Sequence, residues 1–188
     1  MTTRFTKKWI LLCMVLSVLG LSQLGCGNGE MFVDGPVISV ARRSDNLLYT
    51  VSVPKSRYAL GEKVPITFSV TNESTTPVQL DRSTTGPYRF RITQSDAPIW
   101  GAPDGGGNGH SGLLFQSGET KVFEVEWEQM QGIFFGISDT EKPVERGTYS
   151  IKGFLAPEWF NGDFTSPRIK FDEAILRFGS NPIEITVQ

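Results

Sequence analysis

The chain has 188 residues, with 18 Lys plus Arg against 20 Asp plus Glu, one histidine and two cysteines. That length suits one domain, and a net charge of −2 is not that of a nucleic-acid binder, which carries a basic face. Ser-His-Asp hydrolysis, His-rich zinc sites and four-cysteine metal sites start with almost no candidate residues.

Arg4, Lys7 and Lys8 precede an apolar run from Trp9 to Leu21. The run is shorter than the roughly 20 residues of a membrane span and has the length of a signal-peptide core. It ends in Gln23-Leu24-Gly25-Cys26. A small residue directly before a cysteine at this point resembles the lipobox of bacterial lipoproteins. Gln23 and Leu24 stand where such boxes usually carry leucine and a small residue. Cys13 leaves with the leader, so Cys26 is the sole mature cysteine and the expected lipid attachment site. An uncleaved N-terminal anchor is the alternative. Removing residues 1–25 leaves 163 residues, and because the leader holds three basic residues and no acid, the net charge falls to −5. Residues 27–35 (GNGEMFVDG) form a glycine-rich spacer. The expected organisation is a signal peptide over 1–25, the lipidated cysteine, spacer and lead-in over 26–46, and a folded body over 47–188.

In that body the dominant period is two. Leu47, Tyr49, Val51 and Val53 alternate with smaller or polar residues, as do Val64, Ile66, Phe68 and Val70. Val78 and Leu80, then Tyr88, Phe90 and Ile92, repeat the pattern. Phe123, Val125 and Trp127 follow against Glu124, Glu126 and Glu128, then Tyr149 and Ile151 leading to Leu155, and Ile183, Ile185 and Val187 close the chain. Each run fits a strand with one buried and one wet face. About seven to nine such strands, separated by Gly, Pro, Asn and Ser clusters, predict an all-β, immunoglobulin-like antiparallel β-sandwich. Residues 171–178 (FDEAILRF) read equally well as a helical turn or two or as a strand. Gly147-Thr148-Tyr149 fits either the tyrosine corner of such folds or an ordinary core tyrosine.

Three stretches break the rhythm: a glycine-rich loop at 101–112, the segment 131–142 with Ile133, Phe134, Phe135 and Ile137, and the segment 156–167 with Trp159, Phe160 and Phe164. Loops on a rigid scaffold are where function concentrates. Around His110 and Ser111 the sequence approaches a nucleophile elbow, but Leu113 stands where glycine is required and no second histidine exists to act as base. The loop also lacks the Gly-Lys-Ser/Thr ending of a phosphate cradle. Asp104, Asn108, Asn161 and Asp163 offer oxygens for calcium without the dense acidic set that ion needs, and turn formation accounts for them. Glu124, Glu126 and Glu128 lie about 7 Å apart on one strand face, a spacing an inverting glycosidase could use. The apolar residues opposite make them a solvated side instead. Asn72-Glu73-Ser74 matches a glycosylation sequon and also a turn. Trp159, Phe160, Phe164, Phe134 and Phe135 admit three readings: plugs over the open ends of the sandwich, a protein-contact patch, or carbohydrate stacking on Trp159. No metal or cofactor is expected.

The series Tyr58-Ala59-Leu60-Gly61-Glu62, Ile66 to Asn72, Pro77-Val78-Gln79-Leu80, Tyr88 to Ile92, a Pro98-Ile99-Trp100 stop, Ser117-Gly118-Glu119-Thr120, Phe123 to Trp127, Gly147-Thr148-Tyr149 and Gly153-Phe154-Leu155 resembles the BsuPI-type intracellular proteinase inhibitor domain over residues 47–155. The order and spacing of the motifs carry the resemblance. It implies an immunoglobulin-like sandwich and, more weakly, inhibition of a serine protease. No inhibitory residue is carried over from that family to this sequence. The expected function is a lipid-anchored, non-enzymatic sandwich that binds a protein partner, a protease in the family's case, at the cell envelope. Alternatives are a structural or accessory lipoprotein and a carbohydrate-binding module. Gly27 lacks the aspartate that often retains lipoproteins at the inner membrane, so the outer membrane or periplasmic face is the expected location.

Overall fold

The structure is a computed structural model that describes residues 37–84, 88–102, 108–132, 142–157, 159–161, 163, 165–167 and 169–188. The expected leader, Cys26 and the spacer lie outside the described residues.

In chain order the strands are β1 (Ile38–Ser44), β2 (Leu47–Val53), β3 (Arg57–Tyr58), β4 (Val64–Asn72), β5 (Val78–Thr84), β6 (Tyr88–Gln94), β7 (Ala97–Ala102), β8 (Asn108–Phe115), β9 (Thr120–Trp127), β10 (Met130–Gln131), β11 (Lys142–Pro143), β12 (Gly147–Leu155), β13 (Trp159–Phe160) and, after the helix α1 (Phe171–Arg177), β14 (Ile183–Val187). They form a four-stranded sheet β1-β2-β4-β9, a five-stranded sheet β3-β14-β12-β6-β7, a three-stranded sheet β13-β5-β8 and the small pair β10-β11. The first two sheets are the halves of an all-β, immunoglobulin-like sandwich.

Alternation explains why these segments are strands. In β2 and β4 every second side chain is buried, and the intervening Thr and Ser positions face outward. The inward set builds one core. Phe68 of β4 stacks on Tyr49 at 6.4 Å and on Phe123 at 5.9 Å, and meets Phe90 of the other sheet edge-on at 6.1 Å. Gly153 lies directly opposite, where an added Cβ would stand 2.5 Å from the Phe68 ring. The two sheets therefore close on Phe68 because β12 has no side chain there. Tyr149 donates its hydroxyl hydrogen bond to the Glu145 carbonyl, four residues upstream. That is the tyrosine corner, so the core tyrosine is also a corner tyrosine.

Three expectations need correction. The lead-in assigned to 26–46 contains β1, which pairs with β2 over its whole length, so the sandwich begins at Ile38 rather than Leu47. Its Arg42-Arg43 pair interrupts the alternation that marks the other strands. Residues 101–112 are not one loop, because 108–112 belong to β8 and pair with β5. Gly112 sits in that strand with Asp81 Oδ1 3.1 Å from where its Cβ would be, a close approach that favours glycine. Pro98 does not stop a strand but lies within the edge strand β7, where a missing N–H is tolerated. Of the two readings for 171–178, the helix is the one adopted, with Ala174, Ile175 and Phe178 buried.

The β4–β9 ribbon turns a corner and continues as β5–β8. Asn72, fully buried, holds that corner. Its Nδ2 donates to the carbonyls of Thr76 (2.8 Å), Phe115 (3.2 Å) and Gln116 (3.1 Å), and its Oδ1 accepts from Ser74 N and Oγ at 2.9 and 2.7 Å. Of the sequon's two readings, the turn is the one the fold uses, because the amide nitrogen is enclosed and fully engaged.

Candidate partner-binding loop

The chain between β12 and β14 leaves and returns at neighbouring points. Leu155 N donates to Phe178 O at 2.8 Å, and Ser180 N to Gly153 O at 2.9 Å. The excursion is thus held at its base by a short ladder one strand spacing wide. On its outward path β13 adds to the edge of β5, with Trp159 opposite Asp81 and Phe160 opposite Leu80. Asn161 extends the ladder: its N–H donates to Gln79 O at 2.7 Å, and its Oδ1 accepts from Gln79 N at 3.0 Å. The side-chain amide thereby replaces a backbone carbonyl while Asn161 takes a left-handed φ of 54° and reverses the chain.

Asp163 closes the turn that follows. Its carboxylate accepts from the hydroxyls of Ser166 and Thr165 and from their backbone N–H groups. Those donors, the Ser166 hydroxyl first, hold the Asp163 carboxyl down to about 2. Asn161, Asp163, Thr165, Ser166 and Pro167 are all exposed. Between this turn and α1 lies a cleft of about 430 Å³ lined by Phe160, Asp163, Pro167, Ile169, Lys170 and Arg177, among others.

Arg177 ties the far wall of the cleft to the sandwich. Its Nε and Nη2 donate to the two oxygens of Asp45 at 2.9 and 3.0 Å, a bidentate pair. Asp45 and Asn46 form the β1–β2 turn with φ of 51° and 62°, the two-residue geometry that follows strand twist. The Arg177 hydrogen bonds hold the Asp45 carboxyl below its usual range. The guanidinium also lies over the rings of Phe160 (5.4 Å) and Phe178 (4.9 Å). Arg42 Nη1 donates to Leu176 O, and Asn181 Nδ2 to Ala41 O at 3.1 Å. These contacts bind α1 and its C-terminal flank to the β1–β2 hairpin.

The expected contact residues divide sharply. Phe160 is half-buried and packs on Phe178 at 5.6 Å beneath Arg177. Of its three readings this is the sealing one, a ring closing the margin of the core. Trp159 lies on β13 beside it. Phe164, Phe134 and Phe135 lie outside the described residues, as does Asp104. Ser111 pairs with Arg82 within β8, so the elbow-like sequence is strand rather than a strand-to-helix turn. Glu124, Glu126 and Glu128 are exposed, with Lys63 2.6 Å from Glu126 and 3.1 Å from Glu128. The oxygens of Asn161 and Asp163 considered for calcium are taken up in closing the turn. Among the described residues no group of three or more His, Cys, Asp or Glu could hold a metal ion.

Asp45 and Arg177 were not singled out by the sequence as site-forming residues, and Asn72 only as a sequon or turn residue. Asp45-Asn46 does carry a local turn signal, but its partner lies 132 positions away.

None of the curated proteins matches this chain. Among solved structures, it is similar to a β-glucosidase from Listeria innocua in complex with isofagomine, at TM-score 0.42 and 12% identity, over 75% of this chain and 16% of that one. A β-glucosidase from Erythrobacter marinus gives TM-score 0.38 and 14% identity, over 81% and 16%. The chain thus spans 16% of the length of either glucosidase. The CARDB domain of the PF1109 protein from Pyrococcus furiosus gives TM-score 0.38 and 10% identity, over 76% of this chain and 94% of that domain. The family model for a family of unknown function, DUF7974, matches residues 39–163. That span runs from β1 through the turn at Asp163, well over half of the chain, and the protein belongs to this family.

Proposed function

We propose that the protein is a lipid-anchored, non-enzymatic sandwich that binds a protein partner at the cell envelope through residues 161–170, the partner being a protease as the BsuPI-type resemblance implies. The observation that carries this reading is the turn at 161–167. A segment that enters another protein's cleft must be exposed and ordered before binding, because ordering it on contact subtracts from affinity. Here the exposed turn is fixed at one end by the Asn161–Gln79 clamp and internally by Asp163. The lipobox-like Cys26 supplies the anchor, and the leader supplies the export signal.

The test is a cross-linked pull-down from membranes with the full chain, using Cys26→Ala as the unanchored control and Asp163→Ala as the untied turn. Recovery of a protease whose activity falls in the presence of the purified protein, with weaker recovery by Asp163→Ala, is the expected result. Recovery of envelope structural proteins alone, equally with both loop forms, leaves an accessory lipoprotein and rejects the loop as the contact.

A further inference from the structure

Exposed sheet edges invite pairing with other chains, and proteins usually shorten, interrupt or cover them. Three of the four outer edges of the two large sheets follow that rule. On β1, the Ala41 carbonyl is taken by Asn181 Nδ2 at 3.1 Å. On β7, Pro98 removes a donor, and Gly132 N donates to Ile99 O at 2.9 Å. The remaining edge of the five-stranded sheet, β3, is only two residues long. The fourth edge, β9, differs. It is eight residues long, free of proline, and in unbroken register with β4. Among the described residues nothing pairs with its outer side.

The side chains of β9 state what would fit there. Its inward residues Phe123 and Val125 are only partly buried, although Phe123 stacks on Tyr88 at 4.3 Å. A neighbouring strand would complete their burial. Its outward residues include Val122, 55% exposed, and Glu124 and Glu126, with Glu128 just beyond. Lys63 serves both Glu126 and Glu128, and Glu124 has no ion-pair partner among the described residues. Among the described residues, one cation thus pairs with two of the three carboxylates and Glu124 is left over. A groove of about 340 Å³ lies along Pro65, Thr67, Glu124 and Glu126 on this face.

We propose that β9 is a docking edge for an extended strand of a partner protein that carries Lys or Arg at alternate positions and apolar residues between them. Backbone hydrogen bonds along the edge hold the strand, its basic residues meet Glu124 and Glu126, and its apolar residues extend the layer of Phe123 and Val125. This surface is separate from the turn at 161–167 and does not depend on it.

The probe is a fluorescent Lys-Val-Lys-Val-Lys-Val-Lys peptide titrated into the full chain by anisotropy, with a Glu-Val peptide of the same length as counter-probe. The expected result is saturable binding of the basic peptide alone, together with slowed amide hydrogen exchange in β9. Glu124→Lys, which breaks no ion pair among the described residues, should weaken binding roughly tenfold, and Glu124→Gln should weaken it by less. Asp163→Ala should leave it unchanged, which separates this surface from the loop. Absence of saturable binding, equal affinity for Glu124→Lys, or exchange protection on any element other than β9 overturns the proposal.

Discussion

Replacing Asn72 tests whether one side chain holds the corner that carries the loop platform. Asn72→Ala removes five hydrogen-bond contacts, but they are not equivalent. Thr76 and Gln116 are exposed and their carbonyls regain water, whereas Phe115 is fully buried and its carbonyl loses a donor. Two or three net hydrogen bonds at about 1 kcal/mol each, with one acceptor left dry, give a loss of about 2–4 kcal/mol. For a domain of this size that is a fall in melting temperature of about 5–15 °C. Asn72→Asp separates hydrogen bonding from packing, because it keeps the shape and the acceptor for Ser74 but turns a carboxylate towards three carbonyls. At neutral pH it should be less stable than Asn72→Ala. Burial raises the folded pKa of such a carboxyl above its unfolded value, so its penalty grows as pH rises through the unfolded pKa and shrinks below it. Urea unfolding of the three proteins at pH 7 and at pH 4.5 makes the comparison. If Asn72→Ala loses less than about 0.5 kcal/mol, or Asn72→Asp matches the wild type at pH 7, Asn72 does not hold the corner.

Three further outcomes follow from the same contacts. Asp45 has its pKa lowered by Arg177, so its contribution is present above the unfolded value of about 4 and is lost as pH falls through the lower folded value. Asp45→Asn should therefore be less stable at pH 7 and lose less between pH 4 and pH 2, as read by thermal melts. Gly153→Ala places a Cβ 2.5 Å from the Phe68 ring, and should cost about 1–3 kcal/mol through forced repacking; an unchanged melting temperature would show that the sheets separate freely there. Phe160→Ala should cost about 1–2 kcal/mol, less than the roughly 3–5 kcal/mol of a fully buried phenylalanine. An unchanged melt combined with lost partner recovery would return Phe160 to the contact surface.

The sandwich was legible because most of its strands have one wet face, which imposes a period of two on β2, β4, β9 and β14; β6 and β12 keep it only in part, because Arg89 and its pairing partner Phe154 are buried on the face that alternation would make wet. Where that condition fails, the signal fails with it. β1 carries two adjacent arginines, one donating to the end of α1 and one to Glu73, and β8 needs glycine where β5 approaches. Asn72-Glu73-Ser74 announced a turn, but the carbonyls it also serves lie 43 and 44 residues away. No local pattern encodes them. The aromatic cluster at 159–164 was ambiguous for a related reason. A ring that seals and a ring that binds have the same sequence, and the difference is what lies against it. For Phe160 that is Phe178 and Arg177, on and just after a helix whose existence the sequence left open.

Phe160 faces the core margin, while the exposed residues among those described in the loop are Asn161, Asp163, Thr165, Ser166 and Pro167. The carboxylate oxygens of Asp163 and the side-chain oxygen Oδ1 of Asn161 are already satisfied inside the loop or against Gln79. A partner meeting this tip gains little by displacing those bonds and most by accepting the shape they fix. On the proposed reading, recognition at this surface would rest on a preorganised backbone, with the cleft beside Ile169 and Lys170 adding side-chain contacts. Conservative changes at the tip that keep Asp163 and Asn161 should accordingly be tolerated, whereas loss of either should loosen the turn and weaken binding with little effect on the core.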